Sequence, residues 1–291
     1  MPVRTDDNTP RTMREIGIIK RPGNTEEPEM IAAELRLWFR ERNINVMIDQ
    51  VKQGLDLLII LGGDGTLLHV AEQASRYGIP VVGINLGDLG FLTEVSKDER
   101  YEALEAILNN KFAIEHRLLL KTRLISRGQA SEWRMALNDV VISKGNIDRL
   151  IQLDSWANNK YITTYRADGL IFSTPTGATA YNLSAGGPIV HPALQSILIT
   201  PICPFMLDSR PLLVAPDTIL TARLKNGRRQ DVKVLVDGQS AWDIHLDDTI
   251  EIQASEYYLK LIASSKKDYF EILRNKLNWG SSIKNGRNSS I

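Results

Sequence analysis

The chain has 291 residues, 43% of them hydrophobic and 24% charged, which is ordinary for a globular protein of one or two domains. Thirty-five lysines and arginines balance 35 aspartates and glutamates, so the charge gives no indication of nucleic-acid or membrane-surface binding. Cys203 is the one cysteine and the four histidines are scattered, which excludes an internal disulfide and argues against a structural zinc site.

The expected location is the cytoplasm. A chain with one cysteine suits a reducing compartment. The polar residues 1–12 lack the apolar core of a signal peptide, and no apolar run is long enough to cross a bilayer.

Strand-like and helix-like patterns alternate through the first 115 or so residues. Three short apolar runs predict buried strands: 15–20, 57–61 and 79–84. Helical spacing of apolar residues predicts helices that begin at Pro28, near Thr66 and at Asp98. Strands that alternate with helices are typical of a parallel α/β sheet.

The pattern of apolar and polar residues changes from about Leu118 onward. Apolar and polar residues alternate with period two in several places, as around Tyr161 and Tyr165, which predicts a β-rich region. The pair Asn226-Gly227 lies between two alternating runs and predicts a hairpin turn, because both residue types tolerate positive φ. Residues 268–277 have helical spacing again.

These patterns predict two lobes. We expect an α/β lobe with a parallel sheet over 1–117, a β-rich lobe over 118–264, a helix at about 265–280 that could pack back on the first lobe, and a disordered polar tail over 281–291.

A glycine-rich turn, Gly62-Gly63-Asp64-Gly65, follows the apolar run 57–61. Its glycines let main-chain N–H groups approach phosphate oxygens, and a helix beginning near Thr66 would direct its positive end at them. Asp64 would then lie where a hydroxyl nucleophile or a metal ion sits, a minimal arrangement for phosphoryl transfer. An Asp-Gly pair is also a common turn, but the buried strand before it and the helix after it favour a site.

A second loop with the same character spans residues 174–188 and follows the strand-like run 169–172. It has four serine or threonine residues, three glycines and almost no bulky aliphatic side chain, which suits close approach to a polar ligand such as a nucleotide. Tyr181 within it offers a stacking or hydrogen-bonding surface. Two loops of this kind predict a nucleotide held between two lobes.

Several other polar residues are ambiguous on their own, because such residues usually belong to turns or solvated faces. They are Asn138, Asp139, Arg149, Arg166, Asp168 and Gln239. The chain has no Walker loop, protein-kinase catalytic loop, Gly-x-Gly-x-x-Gly, nucleophile elbow or His-Glu-x-x-His. Phosphate would therefore be bound without a Walker lysine.

Taken together, these motifs resemble those of the bacterial-type NAD kinases, in the superfamily that includes 6-phosphofructokinases and diacylglycerol-type lipid kinases. The superfamily motif is the glycine-rich turn 62–65. The family-specific motifs are 83–93 (GINLGDLGFLT), 138–141 (NDVV), 168–171 (DGLI) and 174–181 (TPTGATAY). They run in the family's order over about residues 15–280, and the ensemble is far more specific than the glycine turn alone.

The resemblance implies the fold of that family, an α/β lobe plus a β-rich lobe, and an activity. The γ-phosphoryl group of ATP would pass to the 2′-hydroxyl of the adenosine ribose of NAD, giving NADP. Asp64 would be the general base, with Gly65 beside it in the nucleotide site. The residues implied to contact the dinucleotide are Asn138, Asp139, Arg149, Arg166, Asp168, Thr179, Ala180, Tyr181, Ser184 and Gln239.

The resemblance also implies a divalent metal, usually magnesium, with the triphosphate, although it assigns no metal ligands. Polyphosphate is an alternative donor in the family, and members are usually homodimers or homotetramers. The chain departs from many relatives at Asp139, where they have glutamate, and at Ala178, where they have serine. Some relatives have histidine at the position of Phe205, which is assigned no role here.

Two alternative functions remain open at the level of sequence. A lipid or sugar-phosphate kinase of the same superfamily would share the glycine turn 62–65 but has no reason to keep the loop 174–184. A non-catalytic dinucleotide sensor would bind NAD without forming a product. Incubation with ATP, magnesium and candidate acceptors distinguishes these functions from NAD phosphorylation.

Overall fold

The computed structural model describes residues 12–23, 26–145, 149–206, 209–226, 232–264, 266 and 268–279. These residues form two compact units. Unit 1 contains the residues up to His116 and those from Lys260 onward, and unit 2 contains Arg117–Leu259. The polar tail 281–291 lies outside the described residues.

In chain order the strands are β1 (Glu15–Lys20), β2 (Asn45–Ile48), β3 (Leu57–Leu61), β4 (Pro80–Asn85), β5 (Val95–Ser96), β6 (Ile114–Ser126), β7 (Gln129–Ala130), β8 (Arg134–Ala136), β9 (Asp139–Lys144), β10 (Ile151–Ala157), β11 (Lys160–Ala167), β12 (Gly169–Ser173), β13 (Ile197–Ile202), β14 (Leu212–Val214), β15 (Leu220–Asn226), β16 (Val232–Val236), β17 (Gln239–Ile244) and β18 (Thr249–Ile262). The α-helices are α1 (Glu26–Arg40), α2 (Asp64–Tyr77), α3 (Arg100–Leu108), α4 (Tyr181–Ser184) and α5 (Tyr269–Leu277). None of the helices within the described ranges is long and apolar enough to span a membrane.

Unit 1 is built on a parallel sheet in the order β2-β1-β3-β4, with β5 and the end of β18 paired to the outer edge of β4. Every residue of β3 and β4 is buried, which explains why both strands are continuous apolar runs. Leu35 and Phe39 of α1 and Leu104 of α3 pack with Leu57 and Ile59 of β3 in one core. The predicted parallel α/β sheet is therefore confirmed.

The start of α2 differs slightly from the prediction. The helix begins at Asp64 rather than near Thr66, because Gly63 is in an extended conformation and serves as the N-cap. Gly65 therefore belongs to the first helical turn. The helix ends in the usual way, with Gly78 at φ 66° closing it in the left-handed conformation.

Unit 2 is β-rich, as predicted, and contains two groups of antiparallel strands. One has the order β11-β10-β15-β18, with β6 also on β18 and carrying the short strands β7 and β8. The other has the order β14-β13-β12-β9-β16-β17. Their apolar faces share one core, in which Leu153 and Leu224 of the first sheet join Phe172 and Val234 of the second.

The predicted hairpin at Asn226-Gly227 is wrong. The strand before it, β15, pairs with β10 and β18, whereas the strand after it, β16, pairs with β9 and β17. Both strands point alternate residues into the same core, so apolar and polar residues alternate along each of them. Two strands paired in a hairpin would have the same alternation. Gly227 itself lies outside the described residues. A two-residue hairpin turn does form at Asp237-Gly238, with φ of 48° and 76°, between β16 and β17.

Candidate active site

A cleft of about 540 Å³ lies at the carboxyl ends of the parallel strands of unit 1. It is lined by Arg21 and Pro22 after β1, by the glycine turn and first turn of α2 after β3, and by residues 85–88 after β4. Ligands of open α/β sheets bind in this position, beyond the carboxyl ends of the strands. The glycine-rich turn that the sequence singled out is thus part of a cleft large enough for a nucleotide phosphate chain.

The first turn of α2 offers main-chain donors to this cleft. Gly63 has no side chain to cap the helix, so no side chain accepts a hydrogen bond at this N-terminus. Gly63 and Gly65 line the cleft. Apart from adjacent residues of the same turn, no described atom lies within 4 Å of the position that a Cβ would take at either glycine. Main-chain N–H groups at the start of a helix and the positive end of its dipole together suit an anion such as phosphate.

The Asp64 carboxylate is held by the turn Phe91–Thr93. Its Oδ2 accepts a hydrogen bond from the N–H of Phe91 at 2.9 Å. Its Oδ1 accepts three, from the N–H groups of Leu92 and Thr93 and from the Thr93 hydroxyl, each at 3.0 Å. A side chain at Gly90 would overlap this carboxylate, so glycine is required there. A carboxylate has about four acceptor positions, and Oδ2 keeps free capacity for another donor.

Asn85 and Thr93 connect the cleft to that carboxylate. The Asn85 amide donates to the Thr93 hydroxyl oxygen at 2.9 Å and to the carbonyl of Asp88 at 2.8 Å, and its own oxygen accepts from the N–H of Gly87 at 2.6 Å. The hydroxyl of Thr93 in turn donates to Asp64. The motif 83–93, which the sequence tied to the family without assigning roles, therefore orients Asp64.

In unit 2, the segment 137–139 is fixed from two sides. The Asp237 carboxylate accepts hydrogen bonds from the N–H groups of Leu137, Asn138 and Asp139 at 2.8, 2.8 and 3.1 Å. On the other side, the Thr174 hydroxyl donates to the carbonyl of Leu137 at 2.6 Å, and its N–H donates to that of Asn138 at 2.9 Å. The structure thereby brings Asn138 and Asp139 against the start of the loop 174–188.

Asp139 is an unusual carboxyl group in this arrangement. Its exposed fraction is only 5%, and its pKa is raised from 3.8 to about 7. Burial away from water is the main cause, and the negative charge of Asp237 adds to it. Near neutral pH the carboxyl group therefore holds a proton part of the time and can donate a hydrogen bond as well as accept one.

The rest of the loop 174–188 is anchored by Asn182. Its amide donates to the carbonyls of Ala178 and Pro188 at 3.2 and 3.1 Å, and its oxygen accepts from the Thr200 hydroxyl at 2.6 Å. The neighbouring Tyr181 is exposed. The predicted contact residues Thr179, Ala180, Tyr181 and Ser184 thus lie on a short, fixed turn and on α4.

The remaining predicted residues are more exposed. Asp168 forms an ion pair with Lys144 at 2.5 Å, a partner that the sequence did not indicate. The Arg166 guanidinium lies over the Phe205 ring, 4.9 Å from its centroid, so Phe205 supports Arg166 although it was assigned no role. Arg149 and Gln239 are exposed, Gln239 at the start of β17.

No group of three or more histidine, cysteine, aspartate or glutamate side chains that could hold a metal ion occurs within the described ranges. Magnesium is commonly held by substrate phosphates with only one or two protein carboxylates. A magnesium ion that arrives with a triphosphate would need no such group of protein ligands.

A glycine-lined cleft at the ends of parallel strands, with a fixed carboxylate beside it, is the arrangement of a phosphotransferase. Comparison with known proteins makes the class specific. The model of the ATP-NAD kinase N-terminal domain matches residues 5–112, and that of the ATP-NAD kinase C-terminal domain matches residues 137–264. NAD kinase of Geotalea daltonii is 42% identical over 86% of this chain and 93% of its own length, and NAD kinase of Syntrophotalea carbinolica is 40% identical over 92% and 99%.

Solved structures agree with this result. Yeast NADH kinase complexed with NADH is 27% identical, with a TM-score of 0.84 over 96% of this chain and 91% of its own. The NAD kinase from Archaeoglobus fulgidus in complex with ATP, at 22% identity, shares the fold, with a TM-score of 0.73 over 91% and 98%. The chain belongs to the ATP-NAD kinase family, as its motifs predicted.

Proposed function

We propose that the protein transfers the γ-phosphoryl group of ATP to the 2′-hydroxyl of the adenosine ribose of NAD, giving NADP. The observation that carries this proposal is the glycine-lined cleft with Asp64 fixed beside it, in a chain that matches NAD kinases over most of its length. The matching family models are those of ATP-NAD kinases, and the solved yeast relative holds NADH, which supports ATP and the dinucleotide as substrates.

Asp64 is the proposed general base. A ribose hydroxyl is a poor nucleophile at neutral pH, so a positioned proton acceptor accelerates its attack by about 10² to 10⁴-fold. Oδ2 is the oxygen with free acceptor capacity, because Oδ1 already accepts three hydrogen bonds. The turn Phe91–Thr93 holds the carboxylate in one orientation, so that little reorganisation is needed when the hydroxyl arrives.

The cleft of unit 1 is the proposed triphosphate site. Main-chain N–H groups of the turn that contains Gly63 and Gly65 would bind phosphate oxygens. A divalent metal, magnesium by preference, would neutralise charge on the triphosphate. Inorganic polyphosphate presents the same kind of phosphate chain and is the proposed alternative donor.

NAD is assigned to the polar residues of unit 2. Asn138 and Asp139 are held with their backbone fixed, and the anchored loop beside them exposes Tyr181 for stacking or hydrogen bonding. The full proposed set is Asn138, Asp139, Arg149, Arg166, Asp168, Thr179, Ala180, Tyr181, Ser184 and Gln239.

We further propose that the protein is a cytoplasmic homodimer or homotetramer. In each chain, residues 1–117 would form the nucleotide-binding lobe and residues 118–264 the NAD-binding lobe.

The test is product formation by the purified protein with ATP, magnesium and NAD. NADP is measured with an NADP-specific dehydrogenase and confirmed by mass. The Asp64→Asn variant should keep its fold by circular dichroism and lose at least about two decades of turnover, because the amide cannot accept the proton. Asp98→Asn, at an exposed aspartate of the same unit, is the matched control.

The outcomes are distinct. Absence of NADP with the unaltered protein contradicts the function. A near-normal rate in Asp64→Asn contradicts the role of Asp64 while leaving the function intact. A loss in Asp98→Asn comparable with that in Asp64→Asn would mean that the assay reports general damage rather than base catalysis.

A further inference from the structure

The unit 1 cleft contains very little positive charge for a triphosphate site. Among the described residues that line it, Arg21 is the one lysine or arginine. The cleft also includes the carboxylate of Asp88 and the imidazole of His69. A triphosphate carries several negative charges, and this chain has no Walker lysine to meet them. Among the described lining residues, Arg21 is therefore the cation that can approach the donor, beside any metal that arrives with it.

Arg21 is held at the edge of the cleft by its own backbone. Its N–H donates to the carbonyl of Leu61, the last residue of β3, at 2.8 Å. This hydrogen bond places Arg21 directly beside Gly62, where an added Cβ would lie 3.1 Å from the Cβ of Arg21. The backbone of Arg21, from which the side chain extends, is thus fixed next to the glycine turn.

The neighbouring cation, Lys20, is already committed elsewhere. It forms ion pairs with Glu29 and with Asp49, the latter at 3.2 Å, and these partners raise its pKa. Arg21 is exposed, and within the described part of the chain no carboxylate forms an ion pair with it. Of these two adjacent cations, only Arg21 is free to bind an anion in the cleft.

We propose that Arg21 binds the phosphate chain of the phosphoryl donor, in place of a Walker lysine. The proposal rests on the proposed function and adds a donor-binding residue to it. A guanidinium suits this role because its planar fork of N–H groups forms two parallel hydrogen bonds with a phosphate and stays charged at any physiological pH. Its effect falls on the donor and not on NAD, since the residue lies in the cleft assigned to the triphosphate.

Arg21→Ala tests the proposal by steady-state kinetics, with ATP varied at saturating NAD and NAD varied at saturating ATP. We expect kcat/KM for ATP to fall about 10- to 100-fold, the usual loss for a charge-assisted hydrogen-bonded pair, and KM for NAD to stay within about twofold. Arg21→Lys should recover part of the loss, because lysine keeps the charge but not the fork. Arg36→Ala, at an exposed arginine of α1 outside the cleft, should behave like the unaltered protein.

Direct titration of ATP into each protein by calorimetry, without NAD, separates this proposal from the proposed function. If the unaltered protein makes no NADP, the function fails, but weaker ATP binding by Arg21→Ala still supports Arg21. Unchanged ATP binding and unchanged kcat/KM for ATP in Arg21→Ala overturn the role of Arg21 while the function stands. Equal losses toward ATP and NAD, with a lowered melting temperature, also overturn it, because they indicate a structural role.

Discussion

Asp139 shows how one buried carboxyl group makes stability depend on pH. Its pKa is about 7 in the folded protein, through burial first and the charge of Asp237 second, against 3.8 for an ordinary aspartate. Between about pH 4 and pH 7 the folded state holds a proton that the unfolded chain has lost. The contribution of Asp139 to the free energy of unfolding is therefore largest below about pH 4, decreases as pH rises from about 4 to 7, and does not recover above pH 7.

Asp139→Asn removes this pH dependence, since an amide does not ionise. We expect the free energy of unfolding of Asp139→Asn, relative to the unaltered protein, to rise between about pH 4 and pH 7 and then level off. The rise should reach up to about 4 kcal/mol, at about 1.4 kcal/mol for each unit of pKa. Urea denaturation over this pH range measures it, with Asp217→Asn at an exposed position as the control. A difference independent of pH would contradict the raised pKa.

Single residues differ in how much of their role the sequence reveals. The role of Asp64 could be predicted from the sequence, because the strand, the glycine turn and the helix follow one another within about twenty residues and form a local pattern. The role of Asp237 could not be predicted in this way. Its carboxylate accepts three hydrogen bonds from the N–H groups of residues 137–139, which are about a hundred positions away along the chain. The roles of Lys144 and Thr93 were missed for the same reason, because their partners Asp168 and Asp64 are brought to them by the fold. Asn182 was missed although two of its partners are nearby in sequence, because a short polar residue near a turn has no distinguishing local pattern.

At the scale of elements, the β16–β17 hairpin positions the start of β9. We expect Asp237→Ala to lower the free energy of unfolding by about 1–3 kcal/mol, because three partly buried N–H groups lose their acceptor, and to weaken NAD binding more than ATP binding. Asp237→Asn should be milder, since its amide oxygen still accepts. Urea denaturation and calorimetric titration of each ligand give both quantities.

The control for Asp237 has to account for its backbone, since alanine is strained at the positive φ of this residue. Asp247 is exposed and also has positive φ, 67°, so Asp247→Ala measures that backbone cost alone. Equal effects of the two alanine substitutions on stability and on NAD affinity would contradict the positioning role of Asp237.

Strands were easier to predict than their pairing. The continuous apolar runs of β3 and β4 identified those strands, because a strand buried on both faces is apolar throughout. The period-two pattern near Tyr165 indicated β11, where Tyr165 and Ala167 are buried and Arg166 between them is exposed. The partners of β15 and β16 were wrong, because alternation records which face is buried and not which strand lies alongside.

The whole molecule has an edge that suggests assembly with other copies. Strand β14 lies at the end of the second sheet of unit 2, beside β13, whose six residues are all buried. In contrast, Leu212 and Leu213 of β14 are 38% and 44% exposed. No strand of the described residues pairs with the outer side of β14, and a sheet edge with exposed leucines is a surface that proteins usually cover. A second copy of the chain would cover it, in line with the proposed homodimer or homotetramer.

Light scattering coupled to size exclusion tests this assembly. We expect the unaltered protein to have two or four times the 32.7 kDa mass of one chain at micromolar concentration. The double variant Leu212→Glu and Leu213→Glu should shift toward the single-chain mass, because buried, unpaired carboxylates at a contact are costly. Leu37→Glu, at an exposed leucine of α1, is the matched control and should leave the mass unchanged. A single-chain mass for the unaltered protein contradicts the assembly, and an unchanged mass for the double variant places the contact away from β14.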